Sequence, residues 1–327
     1  MKLLITGGLG FIGSNFIQHI FKNTDWEVTN VDAEFFGSSH HNLETVSDSK
    51  NYTFVKGNIT NRKLMGDLIS KCDCIVNFAA ESHVDRSILD ANPFLISNIR
   101  GVFTILDVLK ERKKKLVQIS TDEVFGTIIE GSATEKSCFN PSSPYAATKA
   151  SAELLINAYV TTYGLDVITT RCTNNYGPHQ FVEKLIPKSI GLCRQDRKIP
   201  VYGTGKSIRD WIHVQDHCEA IMTVLEKGKS GESYNISASN EIYTVTLLKK
   251  ILKLLGKPED LLQFGEERPG EDLRYSLDSS KIRNELGWKP KISIDDGLKK
   301  TVNWYSSHDE DWWSNIPEET YSSTPWK

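Results

Sequence analysis

Short apolar runs alternate along this chain with stretches in which apolar positions recur every three or four residues. The runs at 2–6, 27–31, 53–55, 74–78, 115–120, 166–170 and 234–237 predict strands. The helical spacing predicts helices over 12–22, 61–70, 92–112, 143–163, 183–195 and 214–227. Strands that alternate with helices imply an α/β fold, a doubly wound parallel sheet covered on both faces. Such a sheet binds ligands beyond the carboxyl ends of its strands, and Gly7, Asp32, Ala79, Ser120 and Arg171 all fall at or just past predicted strand ends. After about residue 175 the regularity fades. Pro178, Pro187, Pro200, Gly203 and Gly205 punctuate short elements, and a helical stretch at 244–255 stops at Gly256-Lys257-Pro258. Residues 265–275 read as a charged loop. Trp304, Trp312, Trp313 and Trp326 are expected to anchor the C-terminal segment by burying aromatic surface.

Composition narrows this picture. The chain has 327 residues, 39% hydrophobic and 25% charged, with a net charge of −3. It is long enough for two subdomains. The charge disfavours a general nucleic-acid binder, and Lys113-Lys114-Lys115 reads as a solvated helix end. No apolar stretch approaches a membrane span, and Leu3-Leu4-Ile5 is too short for a signal peptide, so a cytoplasmic location without membrane partners is expected. Cys72, Cys74, Cys138, Cys172, Cys193 and Cys218 are scattered and read as reduced thiols. His213 and His217 have metal-ligand spacing without a partnering glutamate, and no metal site is expected.

The segment Gly7-Gly8-Leu9-Gly10-Phe11-Ile12-Gly13 sits between the first strand and the first helix. Glycines there permit a tight turn and close approach of backbone to a pyrophosphate, which the helix N-terminus then receives. Asp32, at the end of the second strand, can accept hydrogen bonds from ribose hydroxyls and would repel a 2′-phosphate. No arginine follows it, so NAD is expected rather than NADP. The reacting groups come next. Tyr145 and Lys149 stand four residues apart and share a helix face, where an ammonium is expected to lower the phenol's pKa. Pro144 suits the first turn of that helix. Ser120-Thr121-Asp122-Glu123 ends a strand with two adjacent carboxyl groups. A Tyr/Lys pair suggests oxidation and reduction of an alcohol, and an added acid and base suggest removal of water.

These segments make the chain resemble the extended short-chain dehydrogenase/reductase superfamily, and within it the nucleotide-sugar 4,6-dehydratases. The resemblance runs nearly end to end. It is carried by 79–87 (Ala79 to Ser87), Ser120-Thr121-Asp122-Glu123-Val124-Phe125-Gly126, Ser143-Pro144-Tyr145 with Lys149, Asn174 to Pro178, Glu183 to Pro187, Ile208 to Trp211, and Arg268-Pro269-Gly270. The Thr-Asp-Glu run is its specific signal, because related epimerases generally lack that acid–base pair.

The resemblance implies a Rossmann-type NAD-binding domain over 1–175 plus about 209–237. It implies a smaller, discontinuous substrate domain over about 176–208 plus 238–327. The implied activity is dehydration of a nucleoside-diphosphate glucose, with a dTDP or a UDP sugar as substrate, to the 4-keto-6-deoxy product. Tyr145 would take the 4-hydroxyl proton, with Thr121 on the same hydroxyl. Glu123 would remove the C5 proton, and a protonated Asp122 would donate to the departing 6-hydroxyl. The implied cofactor residues are Gly7, Gly10, Phe11, Ile12, Gly13, Asp32, Asn58, Ile59, Ala79, Ala80, Ser82, Asn98, Tyr145 and Lys149. The implied substrate residues are Ser82, Thr121, Asn174, Lys184, Leu185, Pro200, Tyr202, Arg209, Asn235 and Arg268. A homodimer is implied through the 92–112 and 143–163 helices, with Val102, Leu106, Leu109, Leu154 and Ile156 available either for that contact or for the parent sheet.

The chain departs from the family pattern at Ala33 for a frequent Lys, Phe125 for Tyr, and His179, Gln180 and Val182 in the loop after Pro178. Glu271 stands where the family usually has His, and puts negative charge beside an expected diphosphate site. Two other readings share much of this sequence. A 4-epimerase would use Tyr145, Lys149 and NAD but has no need of Asp122 and Glu123. A non-catalytic NAD-binding protein would be expected to have lost Tyr145 or Lys149.

Overall fold

The computed structural model describes residues 1–309, 312–313 and 315–327. Strand β1 (Lys2–Thr6) leads through helix α1 (Phe11–Asn23) to β2 (Glu27–Asp32) and β3 (Tyr52–Lys56). Helix α2 (Arg62–Ile69) precedes β4 (Cys74–Asn77) and the short α3 (Val84–Leu89). A continuous helical stretch follows: α4 (Asn92–Phe94), a π-helical turn (Leu95–Arg100) and α5 (Gly101–Arg112). Then come β5 (Lys115–Thr121), α6 (Pro144–Tyr163), β6 (Val167–Cys172) and β7 (Asn174–Tyr176). Beyond them lie α7 (Leu185–Arg194), β8 (Ile199–Val201), β9 (Ile208–His213), α8 (Val214–Lys227) and β10 (Ser233–Ile236). The chain closes with β11 (Glu241–Tyr243), α9 (Thr244–Leu255), β12 (Leu262–Phe264), α10 (Ser280–Leu286) and α11 (Ile294–Ser306).

Seven strands form one parallel sheet in the order β10-β6-β5-β4-β1-β2-β3. Alternation along β1 shows why its run is apolar on both faces. Leu3 and Ile5 enter a core with Phe16, Ile17 and Ile20 of α1 and Ile221 and Val224 of α8. Leu4 enters the opposite core with Met65 of α2, Ile105 and Leu109 of α5 and Ile156 of α6. A polar row crosses the sheet near its carboxyl edge: Thr6 donates to Asn77, whose amide donates to Gln118 at 2.7 Å. That row satisfies buried polar groups just beneath the strand ends.

A second core lies outside this sheet, where α7, α9 and α11 pack around Ile190, Leu248, Ile251, Leu298 and Tyr305. It is completed by a three-stranded sheet, β11-β9-β7, and the pair β12-β8. Trp313 and Tyr321 are buried in this core, and Trp326 meets the Tyr202 ring edge-on at 4.8 Å. Between β12 and α11 the chain returns to the large sheet: Ile282, Leu286 and Trp288 pack into the first core, and Trp288 Nε1 donates to Asp216 O at 3.2 Å.

The apolar residues proposed for a dimer face divide. Val102, Leu106, Leu109 and Ile156 are buried against the parent sheet, because the sheet takes the strongest stripe of each helix. Leu154 alone of the five is exposed, at 59%.

Candidate active site

The glycine loop is shaped by contacts that exclude a side chain. Gly7 has φ +71°, and a Cβ there would lie 2.6 Å from Ala79 N. A Cβ on Gly13 would lie 2.4 Å from Gly7 O. Gly10 is the N-cap of α1 and carries no side-chain cap, so the first-turn N–H groups stay available to an anion. Asp32 is buried at the end of β2. Its carboxylate accepts from Leu9 N at 3.0 Å, Glu34 N at 2.8 Å and Ser38 Oγ at 3.2 Å, which leaves acceptor capacity toward the cleft. Phe35, Phe36 and Ser38 continue this wall, with no basic side chain from residues 32–38. The cradle fits an NAD pyrophosphate and an unphosphorylated ribose.

The cleft continues over the ends of β4, β5 and β6. It is lined by Gly7, Gly10, Phe11, Ile12, Gly13, Asp32, Asn58, Ile59, Ala79, Ala80, Ser82, Thr121, Asp122, Glu123, Tyr145, Lys149, Asn174 and Lys184. Thr121 ends β5 and its Oγ1 accepts from Glu123 N at 3.3 Å, turning the chain into a 3₁₀ turn over Asp122–Phe125. That turn presents both carboxyl groups. Asp122 is buried, and one oxygen finds no hydrogen-bond partner in the protein. Burial, then the neighbouring Glu123 and Asp210 charges, holds the Asp122 carboxyl well above the usual carboxylate range. Burial pushes Glu123 up to about 7, with Arg268, Lys184 and Arg209 opposing it. Both carboxyl groups are thus held up by burial, Asp122 with its proton further favoured by the acids around it and Glu123 poised to exchange a proton near neutral pH.

Tyr145 and Lys149 come from the first two turns of α6, which Ser143 caps through Ala146 N at 3.1 Å. Both are buried and face the same cleft. The expected lowering of the phenol by Lys149 does not occur within the protein alone. Lys149 Nζ donates to Ile119 O at 2.7 Å, and burial followed by the Glu123 charge raises Tyr145 well above its ordinary value. The Thr121 hydroxyl works the other way. Lys149 itself is brought down to about 8 by burial.

A second cleft adjoins the first and shares Ser82, Glu123, Asn174, Glu183 and Lys184 with it. Leu185, Pro200, Tyr202, Arg209 and Arg268 line it as expected. Two expected residues do not reach either cleft. Asn98 accepts from Glu81 N and donates to Glu81 O and Thr148 Oγ1, so its amide ties the 79–82 loop to α6. Asn235 is wholly buried in β10, where its amide donates to Ala133 O at 3.0 Å and Asp278 O at 3.3 Å. The Asn98 amide is engaged with the 79–82 loop and Thr148, and both amide hydrogens of Asn235 are engaged with backbone while its Oδ1 has no partner, so each supports the site from outside the clefts.

The sequence reading also passed over cleft residues. Asp85 accepts from Tyr202 Oη at 3.1 Å and pairs with Arg268 at 2.9 Å. Lys188 lines the second cleft one turn beyond Lys184, and burial lowers it to about 8. The i,i+4 spacing from Lys184 was the available signal. Tyr275 lies under Arg209, with the guanidinium carbon 4.3 Å from the ring centre. Among the other departures, Phe125 packs on Phe139 and beneath Arg171, and His179 rests on Trp304 while contacting Gln18. His213 accepts from Gln215 N, and His217 contacts Asn175; no cluster able to hold a metal occurs among the described residues.

Comparison with known proteins agrees with this geometry. The model of the GDP-mannose 4,6 dehydratase family matches residues 4–301. The chain is 45% identical to a low-salt glycan biosynthesis protein of Haloferax volcanii, over 95% of this chain and 100% of that one. It is 44% identical to a dTDP-glucose 4,6-dehydratase of Streptomyces niveus, over 99% of this chain and 98% of the relative. A crystal structure of dTDP-glucose 4,6-dehydratase from Streptomyces venezuelae, with NAD bound, matches at a TM-score of 0.94 and 42% identity, covering 97% of this chain and 100% of that one. With the glycine cradle, the Tyr145–Lys149 pair and the Asp122–Glu123 pair in one cleft, the chain belongs to the GDP-mannose 4,6 dehydratase family, on the branch of the dTDP-glucose 4,6-dehydratases.

Proposed function

We propose that this protein is an NAD-dependent hydro-lyase that converts dTDP-glucose to the 4-keto-6-deoxy sugar. One observation carries the reading: two adjacent carboxyl groups, Asp122 buried and Glu123 half-buried, both held above the usual carboxylate range, line the cofactor cleft with Tyr145. Such a pair supplies a base and an acid at neighbouring carbons. Bound NAD supplies the hydride acceptor for oxidation at C4 and the donor that returns hydride to C6.

The protein's own groups carry the remaining steps. Tyr145 removes the proton from the 4-hydroxyl as a phenolate, a form that the protein alone disfavours and that would need the added positive charge of bound oxidised NAD beside Lys149, and Thr121 holds that oxygen. Oxidation at C4 leaves a ketone, which acidifies the C5 proton, and Glu123 removes it. Asp122 keeps its proton until the 6-hydroxyl departs and then delivers it, so that water leaves, and Glu123 hands the proton it took back to C5 as C6 is reduced. Lys149 and the buried walls exclude solvent and fix the register of these groups. Arg209, Arg268, Lys184 and Lys188 supply positive charge in the adjoining cleft for the diphosphate, where guanidinium forks suit paired phosphate oxygens. The first 175 residues with about 209–237 serve the cofactor, and the remaining residues serve the sugar nucleotide. The active form is a homodimer joined through α5 and α6.

The reading is tested by incubating the NAD-loaded protein with dTDP-glucose and, separately, UDP-glucose, with products weighed by mass spectrometry. Loss of one water from dTDP-glucose, at a faster rate than from UDP-glucose, is expected. An epimer of unchanged mass would overturn the roles given to Asp122 and Glu123.

A further inference from the structure

The second cleft contains an anion of its own. Arg209 Nη2 donates to Glu271 Oε1 at 2.5 Å, and Arg268 Nη2 makes an ion-pair contact with Glu271 Oε2, also at 2.5 Å. The carboxylate thus lies between the two guanidinium groups best placed to receive a diphosphate. All three side chains are largely shielded, with exposures of 8%, 14% and 12% for Arg209, Arg268 and Glu271. Each arginine also has a second support. Arg268 is held by Asp85, and Arg209 donates to Ile208 O at 2.9 Å and rests on Tyr275. Neither needs Glu271 to keep its place.

The backbone of Glu271 is fixed independently of its carboxylate. Glu271 N donates to Arg268 O, closing the turn, and Gly270 sits at φ +67° against Ser142 O. Asp272 pins the next residue through Thr127, Ser142 and Tyr275. No bond other than those to the two arginines holds the Glu271 carboxylate among the described contacts. Arg268 Nε, meanwhile, is buried without an acceptor. An anion with more acceptor oxygens than one carboxylate would satisfy this set better.

We infer that Glu271 is an intramolecular competitor for the substrate's diphosphate: it occupies the Arg209–Arg268 site in the free protein, swings out when the diphosphate enters, and thereby weakens nucleotide binding. The inference rests on reading this cleft as a nucleoside-diphosphate-sugar site. A carboxylate that merely oriented the arginines would have the opposite effect, because its removal would loosen them and weaken anion binding.

The test uses the NAD-loaded protein and isothermal titration with inorganic pyrophosphate and with dTDP. Glu271→Gln, which keeps the shape and removes the charge, is expected to bind both probes about tenfold more tightly than the unchanged protein, the release of one charged hydrogen-bonded competitor. Glu271→Ser, which also shortens the side chain, is expected to move the same way. Unchanged or weaker pyrophosphate binding in both variants would overturn the inference. Tighter pyrophosphate binding in a protein that dehydrates neither dTDP-glucose nor UDP-glucose would uphold the competitor and sink the substrate reading instead.

Discussion

Glu123 carries a pH dependence that its burial imposes. Its carboxyl titrates at about 7 in the folded chain, against an ordinary value of 4.5. Between those two values the folded protein holds a proton that the unfolded chain has released, so stability falls as pH rises through this window and stays reduced above it. Glu123→Gln removes that cost. The variant should be more stable than the unchanged protein above pH about 7, by up to about 3 kcal/mol, and the advantage should vanish below about 4.5. Thermal melts of both proteins across this range are the check, and an advantage independent of pH would contradict it. The same ionisation arms the base, so dehydration of dTDP-glucose should fall off on the acid side of about 7. At this scale the sequence names the acid and base but not the charges that the fold gathers round each: Asp210 beside Asp122, and Arg268, Lys184 and Arg209 beside Glu123. The Tyr145–Lys149 spacing likewise gives the shared face but not the hydrogen bond that turns Lys149 toward Ile119 O. Asn98 and Asn235 show the same limit, since an amide beside a site can spend its donors on backbone.

Among the elements, the seven strands of the large sheet were legible because each carries a short segment rich in apolar, β-branched or aromatic residues between turn signals, and each pairs in parallel with a strand of the same kind. The helices that cover them were legible from their stripes. Strands β7, β8, β11 and β12 were not, because three-residue segments carry no period. Strand β9 was hidden differently: Ile208-Arg209-Asp210-Trp211 mixes charge with aromatic surface, and its partners β7 and β11 lie distant in the chain. Helices α10 and α11 were missed because their flanks are polar and loop-like. The strand–loop–helix unit at the start is the best-determined element. Its glycines can therefore be tested one at a time. Gly13→Ala places a methyl 2.4 Å from Gly7 O, a backbone atom that cannot rotate away. The first turn of α1 must then move from the pyrophosphate position. The purified variant should carry little or no NAD while its melt shows a folded protein. Gly66, with nothing within 4 Å of an added Cβ, provides the control, since Gly66→Ala should retain the cofactor.

For the molecule as a whole, the site exists because two cores meet across the carboxyl edge of the large sheet, one supplying Tyr145 and Glu123 and the other supporting Lys184, Arg209 and Lys188. The proposed homodimer would add a third boundary behind the site. Helix α6 faces the cleft with Tyr145 and Lys149 and faces outward with Leu154 and Tyr163, exposed at 59% and 47%. Phe103 of α5, exposed at 43%, packs near Tyr159 of α6, which meets Tyr163 in turn, so three aromatic rings line the outer side of these helices, with Leu154 exposed on α6 as well. A face of this kind on two adjacent long helices suits a two-fold interface burying roughly 800 Å² on each partner. Leu154→Glu would set like charges near the two-fold axis, where desolvating them costs more than the contact returns. The variant should sediment as a monomer at a concentration where the unchanged protein is a dimer, with its cofactor still bound. Phe103→Lys, acting from the neighbouring helix, should shift the equilibrium in the same direction. A monomeric unchanged protein, or a Leu154→Glu variant that remains dimeric, would rule out this face as the interface and leave it without a partner.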